Sequence, residues 1–179
     1  MFTRFIAIAA LAALSAGAQQ ISFEALEKKF AGKGAETVEV NLDGALLGLA
    51  SRFLDDKKPE EAKAKGVLQD IKAIYVRVWE FDKEGEFTAA DLEGIRSSLK
   101  GWQKVVDVRS TKVRGDNAGV YMQVAGDKIQ GLVVVAAEAK ELTIVNIVGS
   151  IDPARLRDLG GKFGIPQLGL ESTKKGGKE

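Results

Sequence analysis

The sequence predicts an α+β fold, in which one mostly antiparallel sheet of about five or six strands has helices packed on it. Apolar residues alternate with period two, or run unbroken, at residues 104–110, 119–125, 129–138 and 142–150. The links between these four segments are short and rich in turn residues, as in antiparallel hairpins. Helical patterns occur before, between and after the strand segments, which indicates helices packed on a sheet.

The first half of the chain opens with a helix, a strand and a second helix. Ser22 is placed to cap the first helix, whose apolar face consists of Phe23, Leu26 and Phe30. Residues 37–42 alternate as a strand. Residues 45–54 are apolar almost throughout, which predicts a mostly buried helix.

Two further helices flank a strong strand at residues 74–81. Pro59 opens the earlier helix, because proline and the acids after it suit a first helical turn, and its apolar residues are Val67, Leu68 and Ile71. Thr88 begins the later helix in a pattern like a capping box. Its apolar face consists of Leu92, Ile95 and Leu99.

The end of the chain adds a central strand and a last helix. The unbroken apolar run at residues 132–135 predicts a strand that is covered on both faces. Asp152 and Pro153 open a helix that Gly164 ends, and its apolar face consists of Leu156, Leu159 and Phe163.

The first 18 residues have the layout of a secretory signal peptide. Arg4 supplies the positive start, residues 5–14 are nearly all apolar, and Ala16 and Ala18 take the small-residue positions before a cut. An uncleaved anchor is the alternative, but the apolar run is short for spanning a bilayer. We therefore expect a periplasmic or secreted protein that starts near Gln19 and has no stable membrane insertion. Residues 19–165 form its single domain, and residues 166–179 a disordered polar tail.

Composition excludes several kinds of chemistry. The chain has no cysteine and no histidine, so it has no disulfide, no thiolate nucleophile and no serine–histidine triad. Of its 26 basic and 25 acidic residues only Arg4 lies in the leader, so the remaining chain is neutral. A neutral domain lacks the basic patch that nucleic acid requires. We expect no catalytic residue, no metal site and no cofactor.

Several segments resemble a bacterial family catalogued as domain of unknown function 4252. The resemblance is carried by residues 74–81, 131–138 and 141–152 and by the glycine-rich stretch 159–164, and it covers residues 23–166. It implies an exported or lipid-anchored envelope protein with no assigned activity, in some cases encoded near sigma-factor or anti-sigma genes. The lipid-anchored form does not fit, because this chain lacks the cysteine that carries the lipid.

Three motifs in the sequence are candidate functional sites. Asp82, Glu84, Glu86 and Glu93 have the spacing of a calcium loop, but Phe87 occupies the position that needs glycine, which favours a charged loop. Ser172 and Lys175 match a serine-nucleophile spacing but fall in the predicted tail. Paired carboxylates near strand ends are candidates for hydrolysis, namely Glu80, Asp82, Glu138 and Glu141.

The strand at residues 74–81 also suggests an interaction face. Because side chains alternate along a strand, one face carries Tyr75, Arg77, Trp79 and Phe81. Three aromatic residues with an arginine are typical of interface hot spots, although a helix covering them would make them core. Arg77 is hard to bury without a partner, so this face is expected to be partly exposed.

These observations favour a non-enzymatic binding or interaction module of the cell envelope, whose partner is another envelope protein or a small ligand. One alternative is a hydrolase or lyase that uses carboxylates. A second alternative, an envelope-stress component associated with sigma-factor regulation, rests on the family resemblance. The oligomeric state is left open. An enzyme requires a pocket with converging polar groups, whereas an interaction module requires an exposed apolar patch.

Overall fold

The computed structural model describes residues 20–33, 36–108 and 117–152. The predicted leader, the predicted helix after Asp152, the predicted tail and the pair Ser172 and Lys175 lie outside these residues.

The described residues form six strands in one antiparallel sheet and four helices, which confirms the predicted α+β class. The strands are β1 (Glu36–Asp43), β2 (Ile71–Glu80), β3 (Gln103–Val108), β4 (Asn117–Ala125), β5 (Lys128–Ala137) and β6 (Glu141–Ile151). Their order across the sheet is β1-β2-β6-β5-β4-β3. The helices are α1 (Glu24–Phe30), α2 (Gly44–Ser51), α3 (Pro59–Asp70) and α4 (Ala89–Ser98).

Strands β5 and β6 occupy the middle of the sheet. Their register pairs Val134 with Val145 and Val133 with Asn146. Leu132 and Val133 point to opposite faces and are both fully buried, which confirms that residues 132–135 form a strand covered on both sides. The long apolar runs of these two strands follow from this position, since neither face meets water.

Each face of the sheet has its own hydrophobic cluster. The first cluster, on what we call the first face, joins Trp79, Val133 and Ile144 of the sheet to residues that include Phe30 of α1 and Ile95 of α4. The second cluster, on the second face, joins sheet residues to Leu47 of α2 and Val67 of α3, the sheet residues being Ile71, Val120, Met122, Ile129, Leu132, Val134, Ile147 and Ile151. Side chains alternate along each strand, so neighbouring residues belong to different clusters.

Two helix starts show how well local signals predict caps. The main-chain N–H and hydroxyl of Thr88 both donate to the Asp91 carboxylate, at 2.7 and 2.8 Å, which confirms the predicted capping box of α4. Ser22 does not cap α1. The cap residue is Phe23, whose side chain has no hydrogen-bonding group and is buried in the first cluster.

Two further predictions are corrected at helix ends. Residues 45–54 do not form a mostly buried helix: α2 ends at Ser51, and of its residues only Leu47 is buried. Ile71 belongs to β2 instead of α3, since α3 passes directly into the strand.

Within the described residues, no helix is long and apolar enough to cross a membrane.

Candidate functional site

The face predicted for interaction lies inside the protein. Tyr75, Arg77, Trp79 and Phe81 share one side of the chain as expected, but the last three are buried and Tyr75 is half-buried. The exposure expected from Arg77 is therefore wrong, whereas the interaction role of the four residues stays a prediction. A partner reaches Trp79 only if α1 moves away from the sheet.

Aromatic packing from α1 closes this face. The Phe30 ring meets the Trp79 ring edge to face at a centroid distance of 5.5 Å, and it meets Phe81 at 5.1 Å. Phe87, at the position where a calcium loop needs glycine, packs on Phe81 at 5.7 Å. Edge-to-face pairs of this kind stabilise a core beyond the area that they bury. The loop of residues 82–88 thus uses Phe87 for packing, in agreement with the charged-loop interpretation.

Arg77 is only 7% exposed because α1 and β1 supply it with partners. Its Nε donates to the Glu27 carboxylate at 2.8 Å, and its Nη1 donates to Asn41 Oδ1 at 2.9 Å. The Phe23 ring lies 4.9 Å from the guanidinium carbon, in cation–π contact. A buried guanidinium is tolerated when its donors are satisfied in this way, so Arg77 holds α1 on the sheet.

Asn146 provides a second polar attachment for the N-terminal segment. It is fully buried on β6, where its Oδ1 accepts the Ile21 N–H at 3.2 Å and its Nδ2 donates to the Leu132 carbonyl at 3.3 Å. Burying an amide requires such partners. Asn146 was not predicted as a site residue, although a lone asparagine in an apolar strand is a signal for such a contact.

Two cavities border this N-terminal segment. One, of about 270 Å³, lies between α1 and α4 over Ile144, with Lys29 and Asp91 in its wall. The other, of about 330 Å³, is lined by residues that include Glu27 and Arg77. In each cavity the cation and the carboxylate bind each other. Charges paired in this way hold two elements together, and they are less available to act as an acid or a base.

Asp91 is the buried acid in this region. Its burial alone would raise its pKa, but hydrogen bonds from Lys29 and from Thr88 outweigh that effect and lower the pKa below the usual aspartate range. Asp91 therefore stays ionised near neutral pH. It links the start of α4 to Lys29 of α1.

The carboxylates considered for hydrolysis lie elsewhere. Glu80 and Glu141 are direct neighbours across β2 and β6, and Glu141 accepts a hydrogen bond from the Thr143 hydroxyl at 2.8 Å. Asp82 and Glu138 are exposed beside them. The two cavities are lined by other residues, so these acids approach one another at the surface, outside either cavity. Among the described residues, no group of three or more acids is arranged to hold a metal ion.

An apolar surface that the sequence analysis missed lies on α2. Leu46, Leu49 and Phe53 are 47%, 50% and 81% exposed, and we call them the outer row of α2. Their spacing of three and four residues places them on one side of the helix and of the turn that continues it. Leu47 faces the opposite way, into the second cluster. The signal was present in the sequence, since a short helix that is apolar all round has more apolar surface than one sheet can cover.

One comparison with known proteins found a match that spans all six strands of the sheet. A family model described as Domain of unknown function (DUF4252) matches residues 30–159, from the last residue of α1 to beyond β6. No curated protein and no solved structure matches the chain.

Proposed function

The chain belongs to the DUF4252 family, whose description assigns no activity, and we propose that it is an exported, non-enzymatic interaction module. The outer row of α2 is its contact surface, and the partner is another envelope protein. The observation that carries this proposal is the exposure of Leu46, Leu49 and Phe53 on one side of a helix. Exposed apolar groups that share one side of an element are typical of surfaces that bind another protein.

The helix that carries the outer row is held in place by contacts with the rest of the protein. Asp43 caps α2 by accepting the Leu46 N–H at 2.9 Å, and Leu47 is buried in the second cluster. The helix also contacts α3, β1 and β2. A helix whose backbone is already held in place loses less entropy when it binds, which favours association through its exposed side.

Charges around the outer row favour a protein over a lipid surface. Asp55 and Asp56 are exposed just after Phe53, and Lys57 and Lys58 follow them. Asp43 lies at the other end of α2. Binding to anionic lipid heads favours a basic surround, whereas this surround, with the exposed Arg52 included, carries three acids and three bases. A mixed polar rim around an apolar centre is typical of protein interfaces.

The sequence of the first 18 residues supports the proposal that the protein is exported. Its charged start, its apolar run and Ala16 and Ala18 have the pattern that export recognises and cuts.

The proposal is tested with one charge substitution and a matched control. Phe53→Asp should reduce capture of the partner from the native envelope fraction at least tenfold, because a charge at the centre of an apolar contact is not desolvated cheaply. Val124→Asp changes another exposed apolar residue, 42% exposed on β4, and should leave capture unchanged. Both variants should keep the melting temperature of the parent. Equal capture by Phe53→Asp and the parent protein rules out the outer row as the contact surface.

A further inference from the structure

The cavity between α1 and α4 has an apolar inner part. It is formed by Ile144 of the sheet together with Phe23 and Ile95, and each of these side chains is at most 6% exposed. Every residue that lines the cavity belongs to the described part of the chain. The space is therefore a property of how α1 and α4 lie on the first face of the sheet.

Small residues account for this space. On α4 the cavity is lined by Ala90, Gly94 and Ser98, which are four residues apart and therefore share one side of the helix. On α1 it is lined by Ala25. A Cβ atom added at Gly94 would meet no atom within 4 Å. Larger side chains at these positions would fill the gap between the two helices, so the residue types present leave it open.

The size of the cavity limits the molecules that fit. An apolar cavity of about 150 Å³ is large enough to bind benzene. The cavity between α1 and α4, at about 270 Å³, therefore has room for roughly ten carbon atoms. Water finds few hydrogen-bond partners in its inner part, so an apolar group that displaces this water is favoured.

Lys29 supplies hydrogen-bond donors in the wall of the cavity. An ammonium group has three N–H donors, and among the described residues only Asp91 Oδ1 accepts one from Lys29. The other oxygen of Asp91 accepts from the main-chain N–H and the hydroxyl of Thr88, at 2.7 and 2.8 Å. A ligand therefore meets spare donors on Lys29, whereas both oxygens of Asp91 are already engaged.

The ion pair favours an uncharged polar group on the ligand. A carboxylate that binds Lys29 would also lie near the carboxylate of Asp91, and it would lose hydration without a cation of its own. An ammonium group has no lone pair with which to accept from Lys29. A hydroxyl or carbonyl oxygen accepts a hydrogen bond from Lys29 and avoids both costs.

We propose that the cavity binds one small amphiphile, with an apolar body of about eight to ten carbon atoms and one uncharged oxygen. The apolar body lies between α1 and α4 against Ile144, and the oxygen accepts a hydrogen bond from Lys29. This site is on the first face of the sheet, so it is independent of the outer row of α2 and of any protein that binds there.

Two molecules with the same chain length test the size and the charge of the site. In an NMR titration of the purified protein, n-octanol should shift the amide signals of Ala25, Gly94 and Ile144 until they saturate. Octanoate should bind at least about tenfold more weakly, because its charge is repelled by Asp91 and loses hydration. Shifts at these residues that do not saturate, or tighter binding of octanoate than of n-octanol, would overturn the proposal.

A matched pair of leucine substitutions on α4 places the ligand. Gly94→Leu puts a side chain where the structure has open space, so it should weaken n-octanol binding at least about tenfold. Its melting temperature should equal or exceed that of the parent, because leucine favours a helix more than glycine does. Ser97→Leu changes an exposed residue of the same helix that does not line the cavity, and should leave binding unchanged. Equal n-octanol affinity in Gly94→Leu and the parent, or an equal loss in both variants, contradicts the proposal.

Discussion

Trp79 is the residue on which the first face of the sheet depends most. Its side chain is 1% exposed and packs edge to face against Phe30. Trp79→Ala should therefore cost about 3–5 kcal/mol in the free energy of unfolding, measured by urea titration. A loss below about 1 kcal/mol would mean that the face opens readily, and would restore it as a candidate interaction surface.

Asp91 gives the fold a pH dependence of known sign. Its folded-state pKa is lowered, so its stabilising contribution is complete above the ordinary aspartate pKa of about 3.9 and is lost as the pH falls through the folded-state value. Asp91→Asn removes this contribution. The gap in unfolding free energy between the parent protein and the variant should stay constant down to about pH 5 and shrink below it. A gap of equal size at about pH 6 and pH 3 would contradict the account.

The ion pair between Glu27 and Arg77 is one of the contacts that hold helix α1 on the sheet. Glu27→Ala removes the closest charged partner of Arg77, so α1 should open more often and its amide hydrogens should exchange faster than those of β5. Glu24 is the matched control on the same helix, since it is exposed and pairs only with Lys28 among the described residues. Glu24→Ala should leave exchange unchanged. Equal exchange in both variants would remove Arg77 as the anchor of α1.

Local pattern predicted the elements better than it predicted their exposure. The strands and the α4 capping box follow from residues close in sequence, and all six strand segments were found within a few positions. The burial of Arg77 depends on Glu27 and Asn41, which are 50 and 36 residues away in the chain. The exposure of the outer row of α2 depends in the same way on how much of the helix the sheet can cover. The long-range contacts of Arg77 leave no local pattern in the sequence, whereas the apolar surface all round α2 is a local pattern.

The described residues form a sheet that is covered on its first face by α1 and α4 and on its second by α2 and α3, with the outer row of α2 exposed to solvent. The charged groups near the cavities are bound to one another, as in Lys29 with Asp91 and Arg77 with Glu27. The outer row of α2 has no such partner within the described residues, because its side chains are apolar and face water. This contrast is the central reason for proposing an interaction module.

Photo-crosslinking in intact cells tests this claim most directly. A photoreactive amino acid replaces Phe53 in one variant and Val124, exposed on β4, in the other. The account predicts one discrete protein adduct from position 53 and none from position 124, because only the outer row contacts a partner. Lipid adducts alone from position 53, or the same protein adducts from both positions, would contradict it.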